Sequence, residues 1–244
     1  MAWREMTPMT GFDASSSERY SGPVLLQATL ERGPEGAVEL VERRIRVFLD
    51  AIDAGFFFPG RRLPLVPVEL RAAGTSVQAR LQVEDLPVTA LDVLGGMLAD
   101  CQQHEVFFHA ARAVLAQREL DLLRERGVRP AAPEEPPFEV EFPEDMGGNE
   151  ALLVEIEFAQ PVPPELQQGL LETLALWDAL TLAYPNGPDE AVEVSGAQAM
   201  FNDPRTIHYH EWIWDKADAD AWDLIVNLCC AWHEKLPIVR LHFE

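Results

Sequence analysis

The chain has 244 residues, 48% hydrophobic and 25% charged, proportions that fit a globular protein and exclude global disorder. Its 41 acidic residues against 19 basic ones leave a formal net charge of −22, and it contains no run of about 18 to 20 uncharged apolar residues of the kind that spans a bilayer. Three cysteines, two of them adjacent (Cys229 and Cys230), make no disulfide framework, and Met1-Ala2-Trp3-Arg4-Glu5 lacks the apolar core of a secretory signal, so a cytoplasmic protein is expected.

In chain order, residues 1–22 are Ser-rich around Ser15-Ser16-Ser17 and read as a loose arm. A strand follows at about 23–31. Val38, Val41, Ile45, Phe48 and Ile52 recur at spacings of three and four, which predicts a helix starting near Pro34-Glu35 and stopped by Gly55. Residues 66–71 and 76–83 alternate as two antiparallel strands joined at Ala73-Gly74. A second helix is expected over 88–103. The next stretch, 106–114, is the candidate for a fourth strand, although Phe107, Ala110, Ala111 and Val114 also sit at helical spacing, and 115–126 is helix-forming.

Pro130, Pro133, Pro136 and Pro137, set among Glu134 and Glu135, mark an extended connector, and 138–142 reads as an extra edge strand. The second half then gives a strand at 151–158 and a helix at 164–182 opened by Pro163-Pro164. Strands near 192–200 and 206–214 come next. A helix at 217–234 has Asp215 and Asp218 at its positive end, and a last strand occupies 237–243.

The halves share a pattern. Leu91, Leu94, Leu98 and Cys101 have the spacing of Trp222, Ile225, Cys229 and Trp232, with Asp92 and Asp223 beside each lead residue, and both runs end in His-Glu. Each half reads strand, helix, strand, strand, helix, strand. The expected fold class is therefore α+β, a tandem duplication of a ferredoxin-like (β-α-β-β-α-β) unit forming a pseudo-dimer whose copies pack side by side. The expected divisions are an N-terminal arm (1–22), a first domain (23–128), a linker (129–148) and a strongly acidic second domain (149–244).

Charge is divided unequally. Residues 1–129 hold 15 basic and 18 acidic residues, and 130–244 hold 4 and 23, so the halves carry about −3 and −19. A field of that sign repels phosphate backbones, so nucleic acid is not an expected partner and a basic protein is. No nucleophile elbow, phosphate loop or dinucleotide-binding glycine fingerprint is present. Recurring Asp92 and Asp223 are read as helix-dipole acids, and Cys229 as a small buried hydrophobe.

The sharpest cluster is in the second half, where His208, His210, His233 and His242 stand among Trp212, Trp214, Trp222 and Trp232. On a strand, His208 and His210 share one face and could ligate zinc or a similar metal, with His233 as a third ligand only if the fold brings it over them. Trp212 and Trp214 are placed on the opposite face. Three functions are open. The first is a non-catalytic acidic module, of the inhibitor or immunity type, that neutralises a basic protein such as a toxin or nuclease, with Trp212, Trp214, Asp215, Asp218 and Asp220 as contacts and no cofactor. The second is a metal- or haem-dependent enzyme using His208 and His210. The third is a small-molecule sensor binding between the repeats. No membrane partner is expected, and the chain is read as a monomeric pseudo-dimer or weak homodimer.

Overall fold

Even-numbered apolar residues drive the first half's central strand: Tyr20, Val24, Leu26, Ala28 and Leu30 are all buried, as period-two side chains on a one-sided sheet must be. In the computed structural model, which describes residues 3–6, 19–63, 67–88, 90–116, 135–142, 151–181, 198–212 and 219–244, the first half begins with β1 (Trp3–Met6) and β2 (Arg19–Arg32). Helix α1 (Ala37–Ala54) and strands β3 (Arg61–Arg62), β4 (Glu69–Ala73) and β5 (Ser76–Pro87) follow. Helix α2 (Ala90–Asp100), a 3₁₀ turn (Cys101–His104) and β6 (Phe107–Ala116) complete it. The strand order is β1-β6-β2-β5-β3, with β4 also on β5. The ambiguous 106–114 run is thus a strand, because it fills the free edge of β2 and pairs with it from Val24↔Leu115 to Arg32↔Phe107. The helix-forming stretch after it lies outside the described residues.

Two expectations about the arm are corrected. Trp3–Met6 pair antiparallel with β6, and β2 begins four residues before the expected start at 23. Its early start depends on Tyr20, whose hydroxyl donates to the Pro23 carbonyl at 2.8 Å. Gly22 (φ 153°) leaves room for this, since a Cβ there would lie 2.6 Å from the same hydroxyl.

The second half contains β7 (Glu139–Glu141), β8 (Ala151–Phe158), α3 (Pro164–Thr181), β9 (Gln198–Asp203), β10 (Thr206–Trp212), α4 (Ala219–His233) and β11 (Ile238–Phe243). Its order is β7-β11-β8-β10-β9, antiparallel except for the parallel β7–β11 pair. The expected extra edge strand is therefore β7, inside the segment read as linker. Strand β9 lies later than the expected 192–200; residues 182–197 are outside the described set.

The β9–β10 turn is held by Asp203, whose carboxylate accepts from the Arg205 amide at 2.6 Å and from the Thr206 hydroxyl at 3.1 Å. The Arg205 amide, ahead of the Thr206 bonds, holds this exposed carboxyl below its ordinary pKa. A depressed folded-state pKa adds stability above the unfolded value of about 3.9, and that stability is lost as pH falls through the folded value. Asp203→Ala should therefore lower the urea midpoint near neutral pH, and its gap from wild type should close as pH is lowered below about 4. A gap unchanged at acid pH would rule out the carboxylate as its cause.

Strand order, counting the paired strands β6-β2-β5-β4 and β11-β8-β10-β9, is the same in both halves: fourth, first, third, second. The molecule is a mixed α+β structure of two largely antiparallel sheets. Each sheet buries one face under its own helices. The halves meet through those helices rather than side by side, with α1 against α3, and the Asn227 amide of α4 donates to the Phe56 carbonyl at 3.3 Å. A single continuous hydrophobic cluster runs from Tyr20 to Phe243. The other face of each sheet lies on the side away from its own helices.

Candidate binding face on the second sheet

Val154, Ile156 and Phe158 point into the core, so strand alternation turns Glu155 and Glu157 of β8 outward. Neighbouring strands do the same with His208 and His210 on β10, Arg240 and His242 on β11, and Glu139 and Glu141 on β7. Register then assembles two rows. One reads Met200, His208, Glu155, His242, Glu141 across five strands, and the next reads Thr206, Glu157, Arg240, Glu139.

The rows are cross-linked. His208 Nε2 lies 2.9 Å from Glu155 Oε2 and His242 Nδ1 lies 2.8 Å from Glu141 Oε2. Arg240 stands between the carboxylates: its Nη2 donates to Glu155 Oε1 at 2.9 Å, and it reaches Glu141 at 3.6 Å and Glu157 at 3.7 Å. Arg205 adds Glu157 at 3.7 Å and donates from Nε to the Phe158 carbonyl at 3.1 Å. These half-exposed pairs each contribute at most about 1 kcal/mol. Their main effect is geometric, since they hold Glu141, Glu155 and Glu157 against two arginines over the sheet. Met200, 47% exposed, supplies an apolar rim beside His208.

His208 and His210 do share a face. His233 is not brought to them: at the α4–β11 turn its Nδ1 accepts from the Ile238 amide at 3.0 Å, and its ring lies 5.7 Å from that of Phe138. Among the described residues no group of three or more His, Cys, Asp or Glu is arranged to hold a metal ion, and the fixed Arg240 cation opposes one among Glu141, Glu155 and Glu157. Trp212 ends β10 opposite Ala151, with no register shift from Ile207 onward. The side chain of Trp212 lies outside the described set. Asp220 is in the first turn of α4; Trp214, Asp215 and Asp218 lie outside the described residues.

Sequence reasoning missed Glu141, Glu155, Glu157 and Arg240, and gave His242 no role. The signal was the alternation in Val154-Glu155-Ile156-Glu157 and Arg240-Leu241-His242, which marks a solvent face but not what stands across from it. The thiols offer no chemistry at this face. Cys229 is fully buried, and burial pushes its thiol well up, with Cys230 adding to it. Burial pushes Cys230 up to about 11. Alkylation of Cys230 at pH 8 should run about two hundredfold slower than that of an ordinary thiol of pKa about 8.5, because the thiolate fraction falls by that factor. Labelling at the rate of free cysteine would contradict this.

No helix of the described residues is long and apolar enough to cross a membrane. No protein-family model matches the chain, and no curated protein matches it. Solved structures with some likeness include a candidate glycine cleavage system transcriptional repressor, 12% identical, covering 92% of this chain and 98% of that one with a TM-score of 0.24. Another is a Cas6 product complex, 14% identical over 90% and 99% of the respective chains, with a TM-score of 0.23. At scores this low the fold rests on the strand order alone.

Proposed function

We propose that the chain is a non-catalytic, cytoplasmic binding protein that takes a basic protein partner on the open face of its second sheet, as an inhibitor or immunity-type protein neutralising a cationic toxin or nuclease would. It is built from two duplicated ferredoxin-like units, an ancestry supported by their common strand order. The observation that carries the binding role is the placing of Glu139, Glu141, Glu155 and Glu157 in adjacent cross-strand rows within a half of net charge about −19. Complementary charge speeds encounter and excludes wrong partners. Trp212, Trp214, Asp215, Asp218 and Asp220, where β10 leads into α4, extend the contact.

The test compares immobilised wild type with Glu139→Lys/Glu157→Lys in lysate at low and high salt. Wild type should enrich a basic protein at low salt, and the double variant should lose about tenfold or more of it, since two reversed charges oppose the same partner. Enrichment of nothing basic, or equal enrichment by both proteins, would sink the proposal.

A further inference from the structure

Strand β4 is an edge of the first sheet: among the described residues it has a strand on one side only, β5. Which of its backbone groups are left over follows from the far side of β5. The Leu30 amide donates to the Thr75 carbonyl at 2.8 Å, so by alternation Val77 and Ala79 also bond toward β2, and Ser76, Gln78 and Arg80 bond toward β4. Their partners there are Ala73, Arg71 and Glu69. The amides and carbonyls of Leu70 and Ala72 therefore point outward, as the open row that a further strand would bond.

Side chains alternate as well. Leu70 stands beside buried Ala79 and packs on the core, which puts Glu69 and Arg71 on the other face, where their side chains are 54% and 77% exposed and lie 3.6 Å apart. Turned over about Leu70, the segment Val68-Glu69-Leu70-Arg71-Ala72 is its own complement. In an antiparallel pair centred there, Leu70 meets Leu70, Val68 meets Ala72, and Glu69 of each copy stands opposite Arg71 of the other. Centring on Glu69 or Arg71 instead sets like charges face to face, which is destabilising. Centring on Ala72 leaves both charges unmatched.

We propose that β4 pairs with β4 of a second copy in this one register, an isologous contact that joins the two first sheets across a twofold axis at Leu70 and closes at two molecules. The outward bonding groups at Leu70 and the opposite charges on either side of it both match a second copy. The contact uses no residue of the glutamate face on the second sheet, so it stands or falls apart from the proposed function.

The experiment is sedimentation of the full chain from micromolar to millimolar concentration, beside Glu69→Arg, Arg71→Glu, the exchange Glu69→Arg/Arg71→Glu, and Ala72→Pro, each checked for the circular dichroism of wild type. Wild type should rise from monomer to dimer and stop there. Each single reversal sets like charges across the axis twice and should weaken the dimer by about tenfold or more. An equimolar mixture of the two, in which one strand carries only arginine and the other only glutamate at these positions, should pair 1:1, and the exchange variant should dimerise as wild type does. Ala72→Pro removes an outward amide at an edge position that tolerates proline, and it should stay monomeric. A wild type that stays monomeric or grows beyond a dimer, single reversals that associate like wild type, a mixture or exchange variant that fails to pair, or a dimeric Ala72→Pro would each overturn the inference. Should a single reversal fail to fold, the exchange variant and Ala72→Pro decide it.

Discussion

Trp177→Ala is expected to cost about 3–5 kcal/mol, the usual range for removing a large aromatic from a core. Trp177 on α3 is fully buried, and its ring meets that of Tyr209 edge to face, with centroids 5.3 Å apart and planes at 62°. Tyr209 is the inward residue of β10 between His208 and His210 and is itself buried. Truncation therefore loses the transfer energy of the indole, leaves a cavity, and removes an aromatic pair that contributes about 0.5–1.5 kcal/mol beyond its area. Against a total of about 5–15 kcal/mol for a folded protein, that is a large share. Trp177→Phe keeps a ring against Tyr209 and should cost less than half as much. Urea unfolding read by circular dichroism checks both, and a Trp177→Ala loss below about 1.5 kcal/mol would show that the pair is not central to the core.

Gly55→Ala should cost about 2–5 kcal/mol for two separable reasons. Gly55 ends α1 in the left-handed region at φ 105°, where its amide bonds back to the Ala51 and Ile52 carbonyls, and a side chain there is disfavoured by about 1–2 kcal/mol. A Cβ would also lie 2.4 Å from the Ala231 methyl of α4, an overpacking cost of about 1–3 kcal/mol at the joint between the halves. Ala231→Gly in the same chain should recover the second part and leave the first. A double-mutant cycle by urea unfolding measures this. A coupling of zero would mean that the two helices do not approach so closely.

How far this molecule can be read from its sequence follows from the range of the interactions involved. Gly55 was legible as a helix stop because a cap depends on residues within one turn, and β8 was legible to the residue because Val154, Ile156 and Phe158 alternate with Glu155 and Glu157. The 106–114 stretch was ambiguous because its own residues satisfy both periods, and β2, some 80 residues earlier, decides between them. His208 and His210 were correctly placed on one face. The arm from Trp3 to Met6 gave no signal, since four residues hold too little pattern to predict an edge strand.

Local periodicity, capping residues and the split of charge between the halves were thus determined by the sequence itself, because each is a property of neighbours along the chain. Tertiary structure alone decided which carboxylate stands beside which cation. Glu155 meets His208 and Arg240, and Gln27 meets Arg112, across separations of 53 to 85 residues that only strand register bridges. It also decided that the helices, not the sheet edges, join the halves. That joint buries the helices of both halves together and leaves the other face of each sheet turned away from them.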